Sequence, residues 1–411
     1  MSLISVLRTG TSGMNAQSNR ISTVAENIQN ASTTGYKRNS TEFSFLLIDG
    51  SATSNYTSGA VETTIRRSVS EQGPISFTTS KTDLAIQGNG FFVVQDETGA
   101  PSLTRAGNFV QDGATGALVN AGGFTLMGYA LDAKGEPSPN PALNSTDGMV
   151  PVNVTSLGLK ATESTQADIA GNLPSNAPTL TGTLSLTNYS KKTSIVTYDK
   201  LGNTVTLDVA LGKSPAPAVN EWKANVYDRA GTQLGTTMTL AFDADGQLTG
   251  AAKTAAAMTY TVAGRAPFTI DFGSATQLAA EYNLKGQADG KAPSAVTGSE
   301  ITSDGTVYAI YEDNTKLAAF KIAVADVGSP DNLEPRAGNI FRTTSTSGDL
   351  QIGFAGVGGR GAVKSGALEQ SNVDVSTELT SMIESQTVYT ANSKVFMTGN
   401  EMLDTLMNLK R

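Results

Sequence analysis

A chain of 411 residues is long enough for about two to four domains with cores of their own, which excludes a peptide or a stapled miniprotein. It contains no cysteine and no histidine, so disulfides, thiol nucleophiles, imidazole bases, the Ser-His-Asp triad and common zinc sites are all removed. Lys and Arg number 29 against 37 Asp and Glu; the net charge of −8 repels a phosphate backbone, and no nucleic-acid partner is expected.

The opening residues, MSLISVLRTGTSGMNAQ, lack the apolar core and cleavage site of a secretory signal, so any export is expected to use another route. No run approaches the roughly 18 apolar residues of a membrane span, and a soluble chain without membrane insertion is expected. Residues 2–30 carry no proline, and their apolar residues recur at helical spacing. Stepping by four and three gives Leu3, Leu7, Gly10, Met14, Gln17, Ile21, Val24 and Ile28, six of eight apolar, the repeat of a coiled-coil seam. Gly10 and Gly13 each cost such a helix about 1 kcal/mol, so the segment is expected to need a partner.

Residues 31–75 read as a connecting segment. From about 76 the pattern changes to short β-branched and aromatic runs such as FFVVQ, TSIVTYD, VTLDVAL and WKANVYD, separated by Gly with Asn or Asp. No helical pattern alternates with these runs, which predicts antiparallel sandwiches or barrels rather than a doubly wound sheet. GEPSPNPAL at 135–143 and GQADGKAPSAVTGS at 286–299 mark boundaries. They set off an outer β domain, 151–299, inside a discontinuous inner one, 76–150 with 300–367. The predicted fold class is therefore mainly β with α-helical termini, in nested discontinuous domains.

The helical pattern returns in 368–411. Val375, Leu379, Met382, Gln386, Tyr389, Ser393, Phe396, Asn400, Leu403 and Met407 form a 4-3 seam, seven of ten apolar. Val388, Val395, Met402 and Leu409 make a second row beside it. An apolar face this broad predicts several helical neighbours, some from other copies. Arg8, Arg20, Lys37 and Arg38 outnumber Glu26 in 1–38, whereas Glu369, Asp374, Glu378, Glu384, Glu401 and Asp404 outnumber Lys394, Lys410 and Arg411 at the other end. The two ends are expected to attract each other. Leu3, Leu7, Met14, Ile21, Val24, Ile28, Val375, Leu379, Met382, Tyr389, Phe396, Leu403 and Met407 are the expected interface between subunits.

Motifs for chemistry are missing. Gly88-Asn89-Gly90 and GFAGVGGRG (353–361) lack the P-loop Lys-Ser/Thr. Asp243-Ala244-Asp245-Gly246 opens like a calcium loop, but its glycine arrives at the fourth position and no Glu follows at the twelfth, so it reads as a hairpin turn. Glu312 and Asp313, adjacent on a strand, point to opposite faces. The single Trp222 reads as a core residue. A β-rich adhesin would need an aromatic-lined site, against which 6% aromatics weighs; no spacing supports a carboxylate or oxygen-held metal enzyme. No enzyme activity, cofactor or metal is expected.

Four stretches together resemble the bacterial flagellar axial proteins, the family of rod, hook and hook-associated subunits. They are AENIQNASTTGYKRN (25–39), with Asn27, Asn30, Gly35, Tyr36 and Lys37 in matching places; DLAIQGNGFFVV (83–94), with Gly88, Gly90, Phe91 and Phe92; LTRAGNF within 103–131, with Arg105 and Gly107; and the closing stretch from 366, with Ser371 and Asn372. Gln29, Ser32 and Thr33 vary from the usual motif. Length, the long central insertion and SIVTYDKLGNTVTLDVAL (194–211) are similar to the hook type rather than the shorter rod type. The resemblance implies a structural homo-polymer, a short curved tube outside the cell that passes torque from rod to filament. It further implies export by the flagellar type III apparatus without a cleaved signal peptide, and rod, hook-cap and hook–filament junction proteins as partners.

Overall fold

The computed structural model describes residues 3–45, 61–132, 134–138, 145–218, 220–261 and 265–409, with side chains at the two ends given from Ser5 to Asn408. The helical repeat at the amino end forms α1, Leu3–Gln29. Asn30 closes it by donating Nδ2 to the Glu26 carbonyl (2.9 Å) while its Oδ1 accepts from the Thr33 hydroxyl (3.2 Å).

The segment expected to be a mere connection holds a two-stranded hairpin, β1 (Asn39–Phe45) and β2 (Val61–Arg67), paired from Asn39↔Arg67 to Phe45↔Val61. Its composition hides it: NSTEFSF and VETTIRR are each five-sevenths polar, and only the alternation of Thr41, Phe43 and Phe45 with Ile65, Thr63 and Val61 signals a strand pair. Thr41 donates to the Thr23 hydroxyl of α1 (3.1 Å), which assigns that alternate set to the helix side. The other side carries the Arg66–Glu42 ion pair at 3.2 Å.

The chain divides into two compact units, residues 1–157 with 298–310 and 316–411, and residues 158–297 with 311–315. In the first, strands from the outgoing limb pair with strands from the returning limb. Ile75–Phe77 lies antiparallel to Ala367–Glu369, Leu84–Gln87 to Ala362–Ser365, and Pro101–Thr104 to Ile340–Arg342. Phe91–Gln95 and Thr125–Ala130 both meet Lys316–Asp326. The core holds Phe91, Val93, Leu103, Tyr129, Ala323 and Ile352.

The second unit has its own core, shared by two sheets. A meander of Lys191–Tyr198, Thr204–Lys213, Glu221–Tyr227 and Gln233–Ala241 contributes Ile195, Leu207, Val209, Leu240 and the fully buried Trp222. The other sheet, Ala257–Tyr260, Phe268–Leu278, Gln166–Pro174 and Lys285–Ala288, contributes Ile169, Leu173, Ile270 and Phe272. One pair departs from the expected antiparallel arrangement: Gln166–Pro174 and Phe268–Leu278 run parallel. The intervening meander and a short helix, α2 (Gly250–Ala255), form the long crossover that a parallel pair requires.

Two boundary expectations also change. Val150–Pro151 pairs with Gly128 and Met127, so the chain stays in the first unit until 157. GQADGKAPSAVTGS is strand-forming rather than a linker, contributing to Lys285–Ala288, Lys291–Ser294 and Val296–Ile301. Within 135–143, residues 139–143 lie outside the described residues.

Asp243-Ala244-Asp245-Gly246 is a hairpin turn. Gly246, at φ +74°, donates its N–H to the Asp243 carbonyl (3.1 Å), and the Asp243 carboxylate accepts from Asp245 N and Gln247 N. The same arrangement recurs at Asp96–Gly99, Asp132–Gly135, Asp199–Gly202 and Asp228–Gly231, which accounts for much of the Gly and Asp between strands. At the carboxyl end the helical repeat forms α3, Val375–Leu409, its start capped by Asp374 Oδ1 on Ser376 N (2.8 Å).

Candidate assembly surface

α1 and α3 pair antiparallel. Leu7 meets Gly399, Gly13 meets Asn392, Arg20 reaches Glu384 (2.9 Å) and Asn27 reaches Glu378 (3.1 Å). The register is constant from end to end. A Cβ on Gly13 would lie 2.7 Å from Asn392 Nδ2, and one on Gly399 2.8 Å from a Leu7 methyl. The glycines that weaken α1 by propensity are thus where α3 comes close, Gly10 against the Asn392 carbonyl and Gly13 against the Asn392 side chain.

The seam itself differs from the expected one by one residue on half its positions. On the expected line Met382, Tyr389, Phe396, Leu403, Phe396 lies against Gly10, and Met382 and Leu403 are half-buried. The companion line is Glu378, Ser385, Asn392, Gly399, spaced by seven, where Leu379, Gln386, Ser393 and Asn400 were expected. Glu378, Ser385 and Gly399 are buried, whereas Leu379 is exposed. Counting apolar residues misled the reading because the intramolecular contact uses small and polar ones. The apolar residues of α3 are consequently left over: Val375, Leu379, Ile383, Val388, Val395, Met402, Leu406 and Met407 are all exposed, Ile383 at 65% and Met407 at 71%.

Of the remaining expected interface residues, Leu7, Met14, Ile21, Ile28, Met382 and Leu403 are half-buried within the chain, and Tyr389 and Phe396 lie at the exposed margin. Val24 is fully covered by its own chain and is withdrawn from the list. Leu3 begins α1, but its side chain, like that of Leu409, lies outside the described residues. The outward face of α1 is polar, with Arg8, Asn15, Asn19, Ser22 and Glu26 exposed or nearly so.

Where the helices meet the first β unit, the motif residues converge. Glu369, buried, accepts Lys37 Nζ (2.7 Å) and Gly73 N (3.0 Å) on Oε1, and Arg105 Nη1 (2.9 Å) on Oε2. Lys37 also donates to the Glu71 carbonyl, and Arg105 to the Gly88 carbonyl (2.9 Å), its guanidinium 5.1 Å from the Phe91 ring centroid. Burial pushes the Lys37 ammonium below its ordinary value, against the pull of Glu369. Gly35 donates its N–H to the Glu369 carbonyl (2.8 Å).

A second polar cluster lies alongside. Asn27 accepts from Asn39 N (3.0 Å) and the Tyr36 hydroxyl (3.2 Å), and donates to the Asn39 carbonyl (2.7 Å) and Glu378. Arg38 Nε bonds Glu378 at 2.6 Å, and Arg38 N bonds Asn372 Oδ1 at 2.7 Å. Burial raises the Tyr36 phenol above its ordinary value.

Phe92 stacks edge-on against Phe109, Gly90 backs onto Val324, Gly107 lies against Leu84, and Ser371 is buried beside Val373 N. Sequence reasoning singled out most of the N-terminal partners but missed Glu369, Glu378, Arg38 and Gly73 as members. The available signal was two glutamates flanking the Ser371-Asn372 motif, one of them falling on the seam line.

This out-and-back architecture agrees with four family models. They match "Flagella basal body rod protein" at 7–37, "Flagellar hook protein FlgE/F/G D1 domain" at 85–162, "Flagellar basal body protein FlaE D2 domain" at 168–290 and "Flagellar basal body rod FlgEFG protein C-terminal" at 364–409. The flagellar hook protein FlgE of Rhizobium meliloti is 49% identical, with both chains covered entirely. The chain belongs to the flagellar hook protein family. The FlgE proteins of Brucella abortus, 44% identical over both whole chains, and of Escherichia coli, 30% identical over 97% of this chain and 98% of that one, are further relatives. As a hook protein it is a structural subunit of the flagellar hook and a self-assembling flagellar component. The family is one of structural proteins. No helix among the described residues is long and apolar enough to cross a membrane.

Proposed function

We propose that copies of this hook protein bundle through the exposed apolar face of α3, building a curved, flexible tube that carries torque from rod to filament. The observation that supports this reading is the division of labour on α3. Its intramolecular seam is small and polar, and its larger apolar side chains stay in water, an arrangement costly for a solitary helix pair and natural for one that acquires further neighbours. In that tube the helix pairs form the core. The sparsely charged surface, 16% charged residues overall, exchanges contacts as the tube bends without breaking strong ion pairs. Rod, hook-cap and hook–filament junction proteins are the partners proposed at its ends, with delivery to the cell exterior by the flagellar type III apparatus without a cleaved signal.

Placing Asp at Ile383 and Met407 together is expected to abolish tube formation, followed by negative-stain microscopy, while the thermal unfolding of both β units is unchanged. Normal tubes from that variant would overturn the reading.

A further inference from the structure

We propose that the second unit carries a small-ligand site on the outer face of its meander, a cleft built on Asn225 and Lys223 that takes a hydroxylated carboxylate of the sugar-acid class. Every residue involved belongs to that unit, so the site stands or falls apart from the exposed face of α3.

Strand alternation makes the floor of the cleft. Trp222, Ala224 and Val226 enter the core between the two sheets, so Lys223, Asn225 and Tyr227 point outward. On the neighbouring strand Met238 and Leu240 also enter the core, which leaves Thr237 and Thr239 outside, Thr239 directly opposite Lys223. A strap, residues 179–190, crosses this face. Its Leu180, Leu184 and Leu186 pack with Ala210 and Tyr227, while Thr181, Thr183 and Thr187 between them are exposed. The strap lies close: a Cβ on Gly212 would be 2.8 Å from a Leu180 methyl. It covers only part of the face. A cleft of about 510 Å³ remains, lined by Thr183, Leu184, Lys223, Asn225, Thr237 and Thr239 among others, a size usual for small-molecule sites.

Two groups lining the cleft lack partners. Asn225 is only 2% exposed, and its Nδ2 donates to the Leu184 carbonyl and the Tyr227 hydroxyl oxygen, both at 3.2 Å. Those acceptors fix the orientation of the amide, and Oδ1 accepts from no donor among the described residues. A buried acceptor left this way carries a desolvation cost that a ligand hydroxyl removes. The exposed Lys223 ammonium makes no ion pair or hydrogen bond among the described residues. No carboxylate lines the cleft, and Glu221, on the same strand face, is engaged by the Ser214 hydroxyl at 3.1 Å.

These groups define the ligand. It donates a hydroxyl to Asn225, places an anion at Lys223, exchanges hydrogen bonds with the threonine hydroxyls and lays an aliphatic edge on Leu180 and Leu184. An ionised dicarboxylate has no donor for Asn225, and a neutral sugar has no charge for Lys223. No aromatic ring lines the cleft, so it offers no platform on which a neutral sugar would stack. A peptide strand finds little backbone to pair with, because Asn188 Nδ2 already occupies the carbonyls of Thr181 and Thr183, each at 3.0 Å.

The test is calorimetric titration of the full chain, kept dilute, with D-glucuronate. One saturable site per chain is expected, with D-glucose and succinate each at least about tenfold weaker. Lys223→Gln and Thr239→Val, both at exposed positions, are each expected to weaken glucuronate about tenfold without moving thermal unfolding, and Lys200→Gln, on an exposed turn outside the cleft, to leave it unchanged. An oligosaccharide ending in glucuronate separates the two sources of such a group: binding as tight as the free acid assigns polysaccharide ends, and exclusion assigns the free acid. The proposal is overturned by the absence of saturable heat, by succinate binding as well as glucuronate, or by a Lys223→Gln variant of unchanged affinity. An acidic peptide that binds more tightly than glucuronate also overturns it, and gives the cleft to a protein segment.

Discussion

Replacing Glu369 by glutamine is expected to unfold the first β unit while leaving the second one folded. The substitution keeps the size of the side chain but removes the carboxylate that is ion-paired with both Lys37 and Arg105, which are buried. Two cations then share a site that water does not reach. Breaking one partner out of a buried ion pair costs about 3 to 5 kcal/mol, a large part of the stability of a domain this size. The separate cores predict two resolved transitions in calorimetry, of which only one moves. Combining Glu369→Gln with Lys37→Met removes one of the stranded charges and is expected to recover part of the loss. A single variant as stable as the parent would show that the cluster is hydrated and that the buried pairing does not hold the limbs together.

The second large effect is steric. A methyl group at Gly107 would fall well inside contact distance of the Leu84 carbonyl oxygen. Neither backbone can retreat, because Leu84 N bonds the Gly107 carbonyl at 2.8 Å and Phe109 N bonds it at 2.9 Å. Gly107→Ala is therefore expected to cost about 3 kcal/mol, at the upper end for overpacking, and to lower the same transition that Glu369→Gln lowers. Gly113→Ala, where an added Cβ meets nothing, serves as its control. Equal melting of the two alanine variants would contradict the geometry at Gly107.

Both predictions concern residues that sequence patterning treats unequally. The terminal helices, the β-rich middle and the return of the chain to its starting end were legible because they rest on period and turn chemistry, which are local. Trp222 was legible as core for the same reason. The strand pair of β1 and β2 was not, since most of its residues are polar and it takes its order from α1 through Thr23 and Asn27. The seam of α3 was half legible. Apolar spacing found Met382, Tyr389, Phe396 and Leu403, but the closest contact is made by Gly13, Asn392 and Gly399, residues no hydrophobic count selects. Glu369 and Glu378 were counted only as charge, because burial of a carboxylate depends on partners more than 260 residues away.

Those two glutamates also define what assembly has to work with. All their charged partners, Lys37, Arg38 and Arg105, belong to the outgoing limb. The first unit is thus complete only when its last segment is in place, and the same segment leads directly into α3 and its exposed face. The hook subunit joins, over a few residues, the lock that closes its own fold to the surface proposed to bind its neighbours.

The most direct measurement is the reactivity of one thiol placed on that surface. In the Ile383→Cys variant, alkylation should be fast in the dilute chain and slowed at least about tenfold once tubes have formed, as burial between helices requires. Equal reactivity in chain and tube, or protection already complete in the dilute chain, would contradict an assembly built on the exposed face of α3.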